Sequence, residues 1–244
     1  MNTYNYKELI IKAKLCKISY SKNPIFNITR NQLLKKYDNY IFINETKSKS
    51  LCYIFYNKNQ IDICFKGTTS INDICTNINI YPVKYFNDDI RIHKGFLTKY
   101  LLLKPIIISN IDKIIDNDNN NINEICFNGH SLGGAIANIA SLDMCQIYKD
   151  KIIKCITFGS PRVGNNYFTD EYNKNINESF RILNKNDLIQ YLPLKIIYND
   201  IHNPIILEEY RKITIYDFFL NIYGFYKYHH HIKTYIKNLK SIST

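Results

Sequence analysis

Residues 124–140 constrain the fold of this chain more tightly than any other stretch. The apolar run 124–128 has the pattern of a buried strand, and Gly129-His130-Ser131-Leu132-Gly133 follows it directly. Gly134-Ala135-Ile136-Ala137-Asn138-Ile139-Ala140 then opens a helix of small and apolar residues. Strand, sharp turn and helix around G-x-S-x-G place a serine on a strained elbow at the end of a sheet strand. Each residue type has a physical reason. Gly129 and Gly133 leave room for neighbouring backbone, and Ala135 and Ala137 let the helix sit close on the sheet. The helix N-terminus aims unpaired N–H groups and the positive end of its dipole at any negative charge developing beside the serine. Glycine is scarce, 8 of 244 residues, yet three fall on the motif and the position after it. An incidental glycine-rich turn is the poorer account.

The remaining patterning agrees with an α/β architecture. Alternating and apolar runs predict strands at 40–44, 51–57, 61–66, 124–128, 151–158, 179–183, 195–198 and 205–215. Helical periodicity predicts helices at 4–20, 95–115, 132–149, 166–175 and 228–239. The opening strands read as antiparallel. The later alternation of helix and strand argues a mostly parallel sheet covered on both faces. The chain is long enough to bury a substantial core. It carries no internal repeat and no Pro/Gly/Ser-rich linker, so 1–244 reads as one domain.

Composition bounds the function classes. No run of eighteen or more apolar residues occurs, which argues against a transmembrane helix. The lysine-studded N-terminus lacks the apolar core of a leader peptide and reads as an amphipathic helix, so a cytoplasmic location is expected. The seven cysteines fit that expectation; Cys52, Cys64, Cys126 and Cys155 fall inside predicted strands and read as buried free thiols. The net charge is +11. Asn, Ile, Lys and Tyr are abundant together, as in an AT-rich coding sequence, and the lysines are scattered rather than in runs. The charge still draws the chain toward anionic surfaces at low salt. No aromatic-basic motif points to nucleic acid.

Four segments occur in a fixed order: Phe65-Lys66-Gly67-Thr68, then Arg91-Ile92-His93-Lys94-Gly95-Phe96, then Gly129 to Ala135, then Thr157-Phe158-Gly159-Ser160-Pro161-Arg162-Val163-Gly164-Asn165. Together they resemble the class 3 lipases, the fungal triacylglycerol lipase-like branch of the α/β-hydrolases, over roughly residues 51–236. The segments are similar to that family's F-R-G-T/S, H-x-G-F, G-H-S-L-G-G-A and T-F-G-x-P-R-V-G-N. The resemblance implies an α/β-hydrolase fold: a mostly parallel central sheet, helices on both faces, and a short lid at 71–80. It also implies an oxyanion hole from the N–H groups of Thr68 and Leu132. Two convergent donors are what an acyl-transfer oxyanion needs, and losing one typically costs about 2.7–4 kcal/mol of barrier. Two departures stand out. Lys66 replaces an arginine, and Ile74 stands where the family's lid carries tryptophan; the chain has no tryptophan at all.

A nucleophilic serine needs a base and an acid that orients it. The chain order Ser, Asp/Glu, His expected on this fold sets aside His93 and His130 as bases, leaving them structural. Asp143 and Asp150 fall in or just past the helix after the elbow. Asp187 follows a strand end, where catalytic groups gather in α/β sheets, and its segment resembles the family's N-x-x-D-x-V-x-x-L-P. His202, His229, His230 and His231 remain as bases, with His202 read as a turn. The family's D-H-S-x-x-x-Y spacing selects His230 against Tyr235, with His231 next. Consecutive helical residues fan by about a hundred degrees each, so the histidine run is not expected to hold a metal. No cofactor is expected. The resemblance implies a serine carboxylic-ester hydrolase acting on lipid esters, triacylglycerol or a lower glyceride, at a membrane or droplet surface, with Ser131, Asp187 and His230 as catalytic residues. The alternatives are a phospholipase, or a lipase-like lipid-binding protein without turnover.

Overall fold

The computed structural model describes residues 5–21, 35–68, 81–117, 120–176, 178–201, 204–207 and 228–243. After helix α1 (Tyr6–Ile18) come three strands, β1 (Asn39–Glu45), β2 (Ser50–Tyr56) and β3 (Gln60–Phe65). They pair antiparallel through short turns. A small antiparallel hairpin follows, β4 (Pro82–Tyr85) and β5 (Asn87–His93), then helix α2 (Lys94–Ile115). The chain continues through β6 (Glu124–His130), α3 (Leu132–Ile147), β7 (Ile152–Phe158), α4 (Asn166–Asn175), β8 (Glu178–Asn184), β9 (Pro204–Leu207) and α5 (Ile232–Ile242). The main sheet has seven described strands in the order β1-β2-β3-β6-β7-β8-β9, and every pairing from β3 onward is parallel.

The strand period of two divides the core. Ile61, Ile63, Phe65, Ile125 and Phe127 face one side, where they pack with apolar residues of α2, α3 and α4. Tyr53, Phe55, Cys64, Cys126, Ile156 and Phe158 face the other, against α1 and α5. Strands buried on both faces read as nearly continuous apolar runs, which is why β2, β3 and β6 were visible in the sequence. Each fully buried Ile, Leu or Phe contributes about 1.5–3 kcal/mol relative to exposure.

Three expectations need correction. Residues 195–198 form a turn, not a strand: a strand there would bury its isoleucines, yet Ile196 is 88% exposed. The C-terminal helix does not run unbroken from 228. His231 interrupts it and its ring caps α5, accepting from Lys233 N at 3.1 Å. The β4–β5 hairpin was not anticipated; its strands are short and partly exposed, with Phe86 at φ 68° between them. The lid at 71–80, His202 and the remainder of strand 205–215 lie outside the described residues. No helix among the described residues is long and apolar enough to cross a membrane.

Candidate active site

β6 ends at His130, and α3 begins at Leu132, so Ser131 forms the whole turn. Its backbone is held at φ 60°, ψ −130°, a conformation rare for a residue with a side chain. Such strain costs about 1–3 kcal/mol and persists only where the surroundings enforce it. Ser131 N donates to Phe158 O at 3.0 Å, and Gly134 N donates to Ser131 O at 2.9 Å. Leu132 is the first residue of α3, so its N–H has no acceptor within the helix. The end of β3 lies against the elbow: a Cβ on Gly67 would stand 2.4 Å from His130 O and 3.2 Å from Ser131 Cβ. Only glycine fits there; Thr68 is the next residue in the chain.

A carboxylate–imidazole pair, Asp187 and His230, is seated by the ends of β7 and β8. Asp187 sits in the loop after β8, fully buried. Its Oδ2 accepts from His230 Nδ1 at 2.8 Å and from Tyr235 Oη at 2.5 Å, and its Oδ1 accepts from Ile189 N at 3.0 Å. Gly159, at φ +55°, supplies the seat. A Cβ there would meet Asp187 Oδ2 at 2.5 Å, Tyr235 Oη at 2.7 Å and His230 Nδ1 at 3.1 Å. With Nδ1 donating to the carboxylate, His230 Nε2 is the acceptor nitrogen. Among the described residues neither His230 Nε2 nor Ser131 Oγ has a hydrogen-bond partner, although both are buried.

The three histidines therefore separate by partner. His230 faces Asp187. His229 gives its carbonyl to Asn184 Nδ2 at 2.8 Å, and His231 is exposed as the cap of α5. His130, read as structural, holds His230 from behind. Its Nε2 lies 2.6 Å from His230 O, so Nε2 carries the proton. Nδ1 then accepts from Tyr20 Oη at 2.8 Å. Burial, reinforced by the neighbouring His230, pushes the His130 imidazole well below its ordinary range and keeps it neutral. His93, the other histidine set aside, caps α2 by accepting from Gly95 N at 3.2 Å; burial lowers it to about 4.

Sequence reading missed the supports. Tyr235 had served only as a spacing landmark, yet its hydroxyl bonds Asp187 and accepts from Asn184 N at 3.2 Å. Burial, then the charge of Asp187, raises Tyr235 far above its usual range, so it remains a donor. Asn184 also accepts from Asn238 Nδ2 at 2.9 Å, tying the end of β8 to α5. Arg162 grips Asp200 with two nitrogens at 3.0 and 3.1 Å and donates to the carbonyls of Tyr191 and Pro193. This clamp holds the loop after Asp187. The motifs held hints of both: Gly159 and Arg162 lie in the segment 157–165, and Asn184 opens the segment that ends in Asp187. Among the described residues no group of three or more His, Cys, Asp or Glu could hold a metal ion. An elbow serine, a carboxylate-oriented imidazole and N–H groups at a helix start can carry out acyl transfer without one.

The comparisons with known proteins follow this geometry. Residues 63–196 match the family model described as lipase (class 3). The secreted mono- and diacylglycerol lipase LIP4 of Malassezia restricta is 30% identical over 146 residues, covering 56% of this chain and 48% of that protein. A chloroplastic phospholipase A(1) of Arabidopsis thaliana is 30% identical over 118 residues, 46% of this chain and 26% of that protein. The chain thus spans about half the length of the first relative and about a quarter of the second. The solved triacylglyceride lipase of Rhizomucor miehei superposes with a TM-score of 0.75 at 20% identity, covering 85% of this chain and 82% of that one; at this identity the likeness shows the fold alone. The α/β-hydrolase fold expected from the sequence is therefore the fold observed. The cytoplasmic expectation is overturned, because the Malassezia relative is a secreted lipase. The thiols misled for a physical reason. Cys16, Cys52, Cys64, Cys126 and Cys155 are buried, and burial shields a thiol in any compartment.

Proposed function

The chain belongs to the class 3 lipase family, and from that premise we propose that it hydrolyses carboxylic esters of lipids through a serine acyl-enzyme. The observation that carries the reading is the buried Asp187–His230 pair, 2.8 Å apart, whose Nε2, like the Oγ of the strained elbow serine, has no hydrogen-bond partner among the described residues. His230, oriented by Asp187, takes the Ser131 proton as Oγ attacks the ester carbonyl. The oxyanion rests on the N–H groups of Thr68 and Leu132. The alcohol leaves with the proton from His230. Water, deprotonated by the same imidazole, then releases the acid and restores Ser131.

Glycerides are the preferred substrates, in keeping with the Malassezia relative. The enzyme meets them at a membrane or droplet surface, and a secreted setting replaces the cytoplasmic one. Phospholipid is the second reading, favoured by the match to a phospholipase A(1) and by the net charge of +11. The test is labelling with a fluorophosphonate and hydrolysis of soluble p-nitrophenyl esters, triglyceride, diglyceride and phosphatidylcholine. Labelling lost in Ser131→Ala, with turnover of glyceride, is the expected result. Absence of labelling and of turnover on the whole panel would leave only lipid binding.

A further inference from the structure

Two helices that pack together carry six lysines of this protein at exposed or half-buried positions. Elsewhere on the described surface lysines of both kinds occur: Lys94, Lys113 and Lys149 are exposed, far apart in the sequence, and pair with no carboxylate among the described residues, whereas others are paired. Lys154 sits between Glu124 and Glu178 at 2.7 Å each, Lys104 meets Asp143 at 2.5 Å, and Lys84 meets Asp88 at 2.8 Å. The face formed by α1 and α5 differs in gathering unpaired lysines together. These helices pack against each other over the sheet, and their inward residues belong to one apolar cluster. Their outward residues include six lysines. On α5, Lys233, Lys237 and Lys240 are exposed and recur at four- and three-residue spacing, a single solvent stripe. On α1, Lys7 and Lys17 are exposed and Lys14 is half-buried. Lys7 and Lys14 lie seven residues apart, within about 20° of each other around the helix.

Among the described residues none of these six lysines pairs with a carboxylate. α5 has no acidic residue, and Glu8 of α1 lies 3.8 Å from the buried Lys12 instead. The helices that carry the two stripes pack against each other, and burial, then the charges of Lys240 and Lys17, hold the Lys14 ammonium below its ordinary range. Like charges gathered without counter-ions repel one another, a cost that an anionic partner relieves. The stripe starts at Lys233, three residues after His230.

We propose that the lysine face of α1 and α5 is a docking surface for anionic phospholipid, which holds the protein on a negatively charged lipid surface. This rests on the lipid-hydrolase reading for its biological sense, but not for its test. Charge complementarity identifies the partner: six cations on one surface formed by two packed helices suit a continuous anionic plane. A Lys near an anionic bilayer strengthens binding about fivefold, and the attraction decays within a Debye length.

The experiment measures sedimentation of the full chain with vesicles of phosphatidylcholine, alone or mixed with phosphatidylglycerol. Binding is expected to the mixed vesicles only, and to weaken as salt rises. Lys233→Gln/Lys237→Gln/Lys240→Gln should weaken it about 100-fold. Lys7→Gln/Lys14→Gln/Lys17→Gln, a second variant on the other helix, should do the same. Lys94→Gln/Lys113→Gln/Lys149→Gln, on other exposed positions, should change it little, and all three should hydrolyse a soluble ester like the parent. Equal binding to neutral vesicles, undiminished binding by both stripe variants, or tighter binding to duplex DNA than to anionic vesicles would overturn the proposal. Loss of ester hydrolysis with binding intact would instead sink the enzyme reading alone.

Discussion

Two buried aspartates on this sheet make opposite uses of the same chemistry. Asp62, in the middle of β3, is fully buried and saturated. It accepts from Lys12 Nζ at 2.5 Å, Tyr37 Oη at 2.6 Å, Gln60 Nε2 at 2.6 Å and Asn128 Nδ2 at 2.9 Å. Its principal partner is a full cation from α1, and nothing in the network is left over. Asp187 is as deeply buried, but its principal partner is an imidazole, and that imidazole has a second nitrogen with no partner among the described residues. The first cluster is closed and joins α1 to β3 and β6. The second is open at one end, toward chemistry. Burial and hydrogen bonding alone do not distinguish a structural carboxylate from a catalytic one; what the partner does on its other side is the property to test.

Substitution of the two carboxylates tests that distinction most severely. Asp187→Asn should lower kcat on a soluble ester by about ten-thousand-fold, because the imidazole loses the acceptor that fixes its tautomer. Its fold should survive, as judged by circular dichroism. Asp62→Asn should do the reverse, reducing stability while the activity of the folded fraction stays within a few-fold of the parent. Similar activity losses per folded molecule would erase the contrast.

The closed cluster makes its own prediction. Lys12→Met leaves Asp62 buried without its cation and should cost about 3–5 kcal/mol in urea unfolding. Adding Asp62→Asn to that variant should recover part of the loss. The pH dependence has a defined sign. Burial alone would raise Asp62, but Lys12, then Lys36, and the hydrogen bonds from Lys12 and Tyr37 outweigh it and hold the carboxyl below its ordinary range. A carboxyl depressed on folding contributes stability above its unfolded value, and that contribution is lost as pH falls through the folded one. The double variant should therefore lose stability less steeply in acid than the parent.

Much of the second cluster was legible in the sequence, and almost none of the first. Ser131, Asp187 and His230 belong to local patterns: a glycine-framed turn, a strand end, a fixed spacing to Tyr235. Asp62 is one polar residue in an apolar strand, and Lys12 one lysine among several on a helix; only the packing of α1 across β3 reveals that they meet. Tyr20, 110 residues before His130, has the same defect as a signal. The hairpin β4–β5 was hidden because its short strands bury little on one face. The run 195–198 misled in the other direction, since β-branched residues favour a strand but the loop they occupy is tied down by Arg162 and Asp200.

His130 links the two regions, since its Tyr20 partner follows the end of α1. His130→Ala removes a donor to His230 O and an acceptor for Tyr20, and should lower kcat about ten- to a hundredfold, with KM little changed. His130→Gln, which can reach one of those partners, should recover part. The neutral ring adds a second readout. Its folded pKa lies well below 6.5, so its contribution to stability is present above that value and is lost as pH falls. The glutamine variant should lack that component of acid sensitivity.

Tyr235→Phe is the gentlest test. It removes one hydroxyl from the open cluster and leaves the Asp187–His230 contact in place. The lost bond is charge-assisted and buried, and such bonds contribute about 1.5–3 kcal/mol. Only part of that falls on the reaction, because the carboxylate keeps His230 and the Ile189 N–H. The same hydroxyl accepts from Asn184 N, so the variant also strands a buried donor and should lose stability. The expected outcome is a kcat reduced about tenfold at unchanged KM, together with a lower urea midpoint. Tyr37→Phe is the matched variant in the closed cluster, removing a hydroxyl from Asp62 at 2.6 Å. It should lower the midpoint alone. If both tyrosine variants lost stability and neither lost kcat, Asp187 would be as structural as Asp62, and the unpaired nitrogen of His230 would have no catalytic meaning.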